Sequence, residues 1–152
     1  MTSTQPTLPD APPYLSYGAA TVRFSHVGAG DPTHGLVPFY HFRIFVEDLD
    51  VGHINFRVGD TRHVQLCSGH IGYGISESFR GHGYAFQACC ALACFVRTVS
   101  PEVIITADPD NYASLRTIER LGAVFLDETK VPEDDPHYAL GSRVKRRYRW
   151  SP

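Results

Sequence analysis

Arg80-Gly-His-Gly-Tyr-Ala85 holds the residue types in this chain best suited to gripping an anion. Its two glycines stand immediately before an apolar helical pattern running to about Val99. A glycine-rich turn at a helix start presents unpaired N–H groups and the positive end of the helix dipole, a ready seat for a pyrophosphate. Two well-known phosphate loops are excluded: a P-loop needs Gly-Lys-Ser/Thr, and the dinucleotide fingerprint needs a third glycine where Phe86 stands. A metal centre would have to recruit His63, Cys67 and His70, and no Cys-x-x-Cys pair supports it. The C-terminal run Arg143-Val-Lys-Arg-Arg-Tyr-Arg-Trp150 is the other concentration of charge. As a strand it puts Arg143, Lys145, Arg147 and Arg149 on one face. That stripe reads as the solvated side of a final sheet strand, its charges free or paired with Glu133, Asp134 and Asp135, before it reads as a nucleic-acid surface.

The elements that must position these residues are legible in the hydrophobic pattern. Tyr14 to Phe24 is a strand or a strand plus turn. Pro38 to Glu47 alternates, with Tyr40, Phe42, Ile44 and Val46 on one side. Asp48-Leu-Asp50 turns the chain, and Val51 to Val58 returns, so the two strands form a hairpin. A strand from about Gln65 to Glu77 leads into the glycine turn. Its glycines at 72 and 74 mark a bulge or a close approach of another backbone or a ligand. The segment from Ala85 to Val99 is apolar almost all round, as a helix buried against a sheet is, and Pro101 ends it. Val103 to Ala107 is a short strand covered on both faces, and Asn111 caps a helix that stops at Gly122. Ala123 to Val131 and Arg143 to Trp150 complete the sheet.

In this order the segments resemble the GCN5-related N-acetyltransferase (GNAT) family. Arg80 to Ala85 fits the family's Arg/Gln-x-x-Gly-x-Gly/Ala turn at every position. Asn111-Tyr-Ala-Ser114, with Glu119-Arg-Leu-Gly122-Ala, resembles the family's second helix. Gly52-His-Ile-Asn-Phe-Arg57 resembles its Gly-x-Ile-x-Leu-Arg strand, and Gly69-His-Ile-Gly-Tyr-Gly-Ile75 the strand beside the cofactor. The resemblance implies a single α/β domain over residues 14–152, preceded by a flexible leader over residues 1–13. Its central sheet would be mixed parallel and antiparallel, of about six to seven strands flanked by helices, with a splayed strand pair at the cofactor site. It implies acetyl-CoA as co-substrate, no metal, and direct transfer of the acetyl group to a primary amine of a small-molecule or peptide acceptor.

Residue by residue, the resemblance assigns the cofactor to Ile75, Arg80, Gly81, His82, Gly83, Tyr84, Ala85, Asn111 and Ser114. Gly83 must lack a side chain for the backbone to approach a pyrophosphate, and His82 and Tyr84 contribute mainly their N–H groups. The gap beside the splayed strand would admit the pantetheine arm, with strand amides polarising the thioester carbonyl. One position departs from the family pattern: Ile118 stands where many relatives carry a tyrosine that serves as general acid. Tyr112 and Tyr138 are the replacements, and His70 and Glu77 the bases, that the sequence offers. Without that acid, a non-catalytic acyl-CoA-binding module on the same scaffold is the alternative.

Composition narrows the class further. With 152 residues, a formal net charge of −2 and a 43% hydrophobic fraction, the chain fits one ordinary globular domain and excludes a uniformly basic nucleic-acid binder. No apolar run approaches a membrane span, and the prolines at 6, 9, 12 and 13 do not follow a secretory-signal order. Three of the four cysteines, Cys89, Cys90 and Cys94, crowd one helix and cannot form a disulfide framework. A reduced, cytoplasmic protein, with a homodimer as one assembly to test, is the expectation.

Overall fold

Alternation in the first half of the chain builds one sheet. The computed structural model describes residues 8–152. Five strands, β1 (Tyr14–Tyr17), β2 (Ala20–Gly28), β3 (Phe39–Val46), β4 (Leu49–Arg57) and β5 (Ile71–Ile75), pair antiparallel in chain order. The segment from Tyr14 to Phe24, expected as a strand or a strand plus turn, is part of a hairpin turned by Gly18 at φ 59°. Val22, Tyr40, Phe42, Ile44, Ile54 and Phe56 are fully buried on one face of the sheet. Helix α1 (Tyr84–Val99) covers that face with Ala88, Leu92, Phe95 and Val96. Phe95 is the hub, edge-on to Tyr40, Phe42 and Phe56 with ring centroids at 5.0, 6.4 and 6.1 Å.

After α1 come β6 (Val103–Ala107), α2 (Tyr112–Arg120), β7 (Val124–Lys130), the short α3 (Pro136–Ala139) and β8 (Val144–Trp150). The last three strands make a second antiparallel sheet in the order β6-β8-β7. Asn111 caps α2 by accepting from Ser114 N–H at 3.2 Å, and Gly122 ends it at φ 79°. Both are as the sequence predicts. The single mixed sheet of six to seven strands is corrected to eight strands in two antiparallel sheets. The reason lies between β5 and β6. His70 N–H donates to Ile104 O at 2.7 Å, and Ile104 N–H donates to His70 Nδ1 at 2.8 Å. No ladder continues from that point. Gly69 permits the contact, since a Cβ there would lie 2.7 Å from Ile104 O. Past this hinge the strands part.

Two further expectations change. The strand foreseen over Gln65 to Glu77 is interrupted: Val64–Ser68 is a π-helical turn, only Ile71–Ile75 is strand, and Glu77–Phe79 is a 3₁₀ turn. The leader expected over residues 1–13 is packed from Leu8 on: Leu8 and Ala11 rest on the core, Tyr40 Oη donates to Pro9 O, and Phe24 N–H donates to Pro13 O at 2.9 Å. Residues 1–7 of that leader lie outside the described residues. Among the described residues no helix is long and apolar enough to cross a membrane.

The C-terminal basic run is held within the fold. Lys145 is buried and pairs with Asp108 at 2.8 Å, while Arg147 makes a two-pronged contact to Asp127 at 2.8 Å on each prong. Arg146 reaches Glu128 at 3.3 Å, and the Arg143 guanidinium lies 3.7 Å from the Tyr138 ring centre. The partners foreseen at Glu133, Asp134 and Asp135 are not the ones used. Asp135 instead bonds His63 at 2.6 Å and caps α3 by accepting from His137 N–H at 2.9 Å. That latch sets α3 against the π-helical turn and brings His137 to the cleft.

Candidate active site

The parting of β5 from β6 opens two cavities that meet. The larger, about 580 Å³, lies on the α1/α2 side and is lined by Ile75, Arg80, Gly81, Gly83 and Ala85 among others. Gly83 occupies the N-cap of α1 at φ 77°, ψ 19°, and Gly81 has φ 86°. These left-handed conformations suit residues without a side chain, and the loop enters α1, whose first N–H groups have no helical partner. Arg80 is fixed by donating from Nε to Ile75 O at 2.9 Å. Arg116 and Arg120 of α2 line the same cavity as Arg80. Arg120 lies 3.9 Å over the Phe86 ring centre. Backbone donors, a helix N-terminus and three cations suit a pyrophosphate and a further phosphate.

The smaller cavity, about 260 Å³, lies on the far side of β5 and is strongly polar. Its first wall is the outward face of β4, where His53, Asn55 and Arg57 alternate with the buried Ile54 and Phe56. His53 pairs with Gly74 and Asn55 with Gly72 across the ladder. The two glycines are therefore explained by their neighbours: a Cβ on Gly74 would meet His53 Cε1 at 2.8 Å, and one on Gly72 would meet the Arg57 guanidinium at 2.8 Å. The opposite wall carries Asp108, His137 and Lys145. Asp108 accepts from Lys145 Nζ at 2.8 Å and from Ser142 Oγ at 2.6 Å. Burial would raise the Asp108 carboxyl, but these two bonds outweigh it and hold it below the usual carboxylate range. Burial pushes His53 below its ordinary value, helped by the nearby His41, Arg43 and Arg57. Burial and the Lys145 charge do the same to His137. Both imidazoles are neutral at pH 7 and able to accept a proton.

Tyr73, Asn111 and Ser114 line both cavities and so mark their junction. Tyr73 pairs with Ile54 in the ladder and shares its face, opposite to Gly72 and Gly74. Its hydroxyl lies 2.8 Å from Ser114 Oγ. Burial pushes the Tyr73 phenol up to about 12, so it keeps its proton at any physiological pH.

Eight of the nine residues assigned to the cofactor line the larger cavity. His82 does not; it stacks on Tyr84, with ring centroids 5.3 Å apart. The four residues offered for proton transfer fare differently. His70 is buried outside both cavities: Nδ1 accepts from Ile104 N–H, and Nε2 donates to Gly59 O at 3.1 Å or Asp60 Oδ1 at 3.0 Å. Its lone pair is already used, and its role is the hinge. Glu77 is exposed on the 3₁₀ turn, Tyr112 is 67% exposed at the start of α2, and Tyr138 lies under Arg143; none of the three lines either cavity. Sequence reasoning missed Tyr73, His53, Arg116 and Arg120. Arg116 and Arg120 had a signal, an i,i+4 pair of arginines on the helix after the capping asparagine. Tyr73 also had one, since it points opposite to its flanking glycines.

A family model described as an acetyltransferase (GNAT) domain matches residues 9–124 of this chain. The chain belongs to the GNAT acetyltransferase family. Among solved structures it is similar to the microcin C7 self-immunity acetyltransferase MccE, crystallised with acetyl-CoA and AMP, at 19% identity and a TM-score of 0.57. That match covers 75% of this chain and 61% of the other. It is similar to the Salmonella typhimurium acetyltransferase described as modifying the N-terminal serine of ribosomal protein L7/L12 (22% identity, TM-score 0.58, 75% and 64% covered). A third is Mycobacterium smegmatis RimJ in complex with CoA-disulfide (22%, TM-score 0.57, 73% and 52% covered). The matched region spans roughly three fifths of the length of the first solved structures it resembles. At these identities the likeness shows the fold. No curated protein sequence matches the chain.

Proposed function

We propose that this protein is an acetyl-CoA-dependent N-acetyltransferase that moves the acetyl group directly to a primary amine. The observation that carries the reading is the junction at Tyr73 and Ser114, where a groove built for phosphates meets a polar cavity across a parted strand pair. Pyrophosphate on the Gly81–Ala85 turn directs the pantetheine arm along β5 toward that junction. The acceptor enters from the side of His53 and Arg57. A lysine-like amine, with a pKa of ~10.4, arrives as an ammonium and must lose a proton before attack. His53, neutral and packed against the Gly74 backbone, receives it. The nitrogen lone pair forms the new C–N bond at the thioester carbonyl, β5 amides hold the oxyanion, the nitrogen releases its second proton to solvent, and collapse breaks the C–S bond and expels the thiolate. Tyr73 donates a hydrogen bond to the departing sulfur. Full transfer from a phenol at about 12 to a thiolate of pKa ~8.5 would be uphill by about 5 kcal/mol, so the hydrogen bond stabilises the thiolate and solvent protonates it.

The alternative of a non-catalytic acyl-CoA-binding module rested on Ile118. That residue is fully buried in the core, and Tyr73 brings a hydroxyl to the junction from another strand. The test is a thermal shift with acetyl-CoA and with CoA, followed by thiol release with a panel of amines. Acetyl-CoA at about 100 times its Kd should stabilise by about 2.7 kcal/mol, and the transferase reading expects thiol release with at least one amine. No shift with either ligand would defeat the cofactor assignment. A shift without thiol release from any amine would leave the binding module.

A further inference from the structure

We propose that the acceptor is a small free amine that also carries a carboxylate, and that Arg57 binds this carboxylate. The proposal rests on the transferase reading above. Arg57 stands on β4 with its guanidinium over Gly72, in the wall of the smaller cavity. Its NH1 group donates to Ser68 O at 3.2 Å and Gly69 O at 3.3 Å. Among the described residues Nε and NH2 find no acceptor, and no carboxylate pairs with Arg57. Burial lowers its pKa, as expected for a cation drawn partly out of water with no carboxylate beside it.

The other charges in the cavity are cancelled. Asp108, the one carboxylate in its wall, is taken by Lys145 and Ser142. His53 and His137 are neutral at pH 7. An acceptor with extra positive charge, such as a polyamine or an aminoglycoside, would meet a free guanidinium and no free carboxylate. An acceptor with a negative group would complete a two-pronged pair with Arg57. A volume of about 260 Å³ suits a molecule of amino-acid size and is small for a folded peptide segment.

The experiment is steady-state kinetics on matched amines, with acetyl-CoA binding measured in parallel by calorimetry. The probes are the twenty amino acids and the amide of each, with spermidine, kanamycin and peptides beginning with Asp or Glu as comparators. At least one amino acid should be acetylated with a kcat/KM roughly 10- to 100-fold above its amide, the range of a charge-assisted bond. In Arg57→Gln the ratio between acid and amide should collapse toward one, chiefly through KM, and Arg57→Lys should restore part of it. Gly72→Ala, whose methyl displaces the guanidinium, should narrow the same ratio while Arg57 remains. Equal or better turnover of the amides, spermidine or kanamycin would overturn the proposal. So would a preference for the peptides, turnover of no carboxylated amine with acetyl-CoA bound, or an unchanged ratio in Arg57→Gln. Failure to bind acetyl-CoA at all would instead strike the transferase reading.

Discussion

Replacing Gly83 by alanine separates the cofactor turn from the fold that carries it. Gly83 sits at φ 77°, where a side chain strains the backbone by about 1–2 kcal/mol. In a chain of this size that lowers Tm by roughly 2–8 °C. The added Cβ would lie 3.3 Å from Arg120 NH1 and would project where loop N–H groups meet the pyrophosphate. Loss of one or two charge-assisted bonds, together about 2–4 kcal/mol, should weaken acetyl-CoA binding by roughly 30- to 1000-fold. Gly141→Ala provides the control for strain. That glycine has φ 100°, nothing lies within 4 Å of a Cβ there, and it lines neither cavity. Calorimetric titration with acetyl-CoA and thermal melts on both variants give the comparison. Both should melt earlier, and only Gly83→Ala should lose affinity. Binding within threefold of the wild type in Gly83→Ala, or an equal loss in Gly141→Ala, would refute the assignment of the turn.

Two further predictions concern the reaction itself. Tyr73→Phe should reduce kcat by roughly 10- to 100-fold with little change in the KM for acetyl-CoA, because the lost bond acts on the leaving sulfur; rapid-mix and steady-state thiol release measure it, and an unchanged kcat would remove Tyr73 from the chemistry. The rate of the wild-type protein should rise with pH through a limb below 6.5 that reports His53, and that limb should vanish in His53→Gln. Stability carries the same signature: His53 and His137 bind protons more weakly folded than unfolded, so stability is full above about 6.5 and falls as pH drops through their lowered values. A Tm independent of pH between 7 and 5 in the wild type would contradict the burial of these two imidazoles.

The elements were legible where local chemistry decided them. Tyr40, Phe42 and Ile44 alternate because one face of β3 packs on α1, and the turn at Gly83 is written in residues that tolerate a positive φ. The gap between β5 and β6 is different in kind. It depends on which strands fail to pair, and that is set by contacts thirty residues apart, such as His70 with Ile104. A reader of the sequence sees His70 as a free imidazole on a strand; only the fold shows that Ile104 N–H has taken its lone pair. The same holds for the basic C-terminal run, whose partners are Asp108, just after β6, and Asp127 and Glu128 on β7, all distant in sequence. Tyr73 was overlooked because it stands between two glycines on a strand, and only the fold brings its hydroxyl to Ser114.

The strict two-residue period of β5 is what lets one short strand serve both halves of the site. Gly72 and Gly74 point outward, and their missing side chains leave the space that Arg57 and His53 fill on the acceptor side. Tyr73 points inward between them and reaches Ser114 on the cofactor side. A tyrosine at the position of Ile118 would have to leave the core to arrive at the same junction, whereas Tyr73 reaches it from β5, which borders both cavities. The Tyr73 hydroxyl and the Arg57 guanidinium are thus placed by adjacent residues of one strand. A slip of that strand by one residue would turn each to the wrong side, which ties the chemistry to the register of β5 on β4.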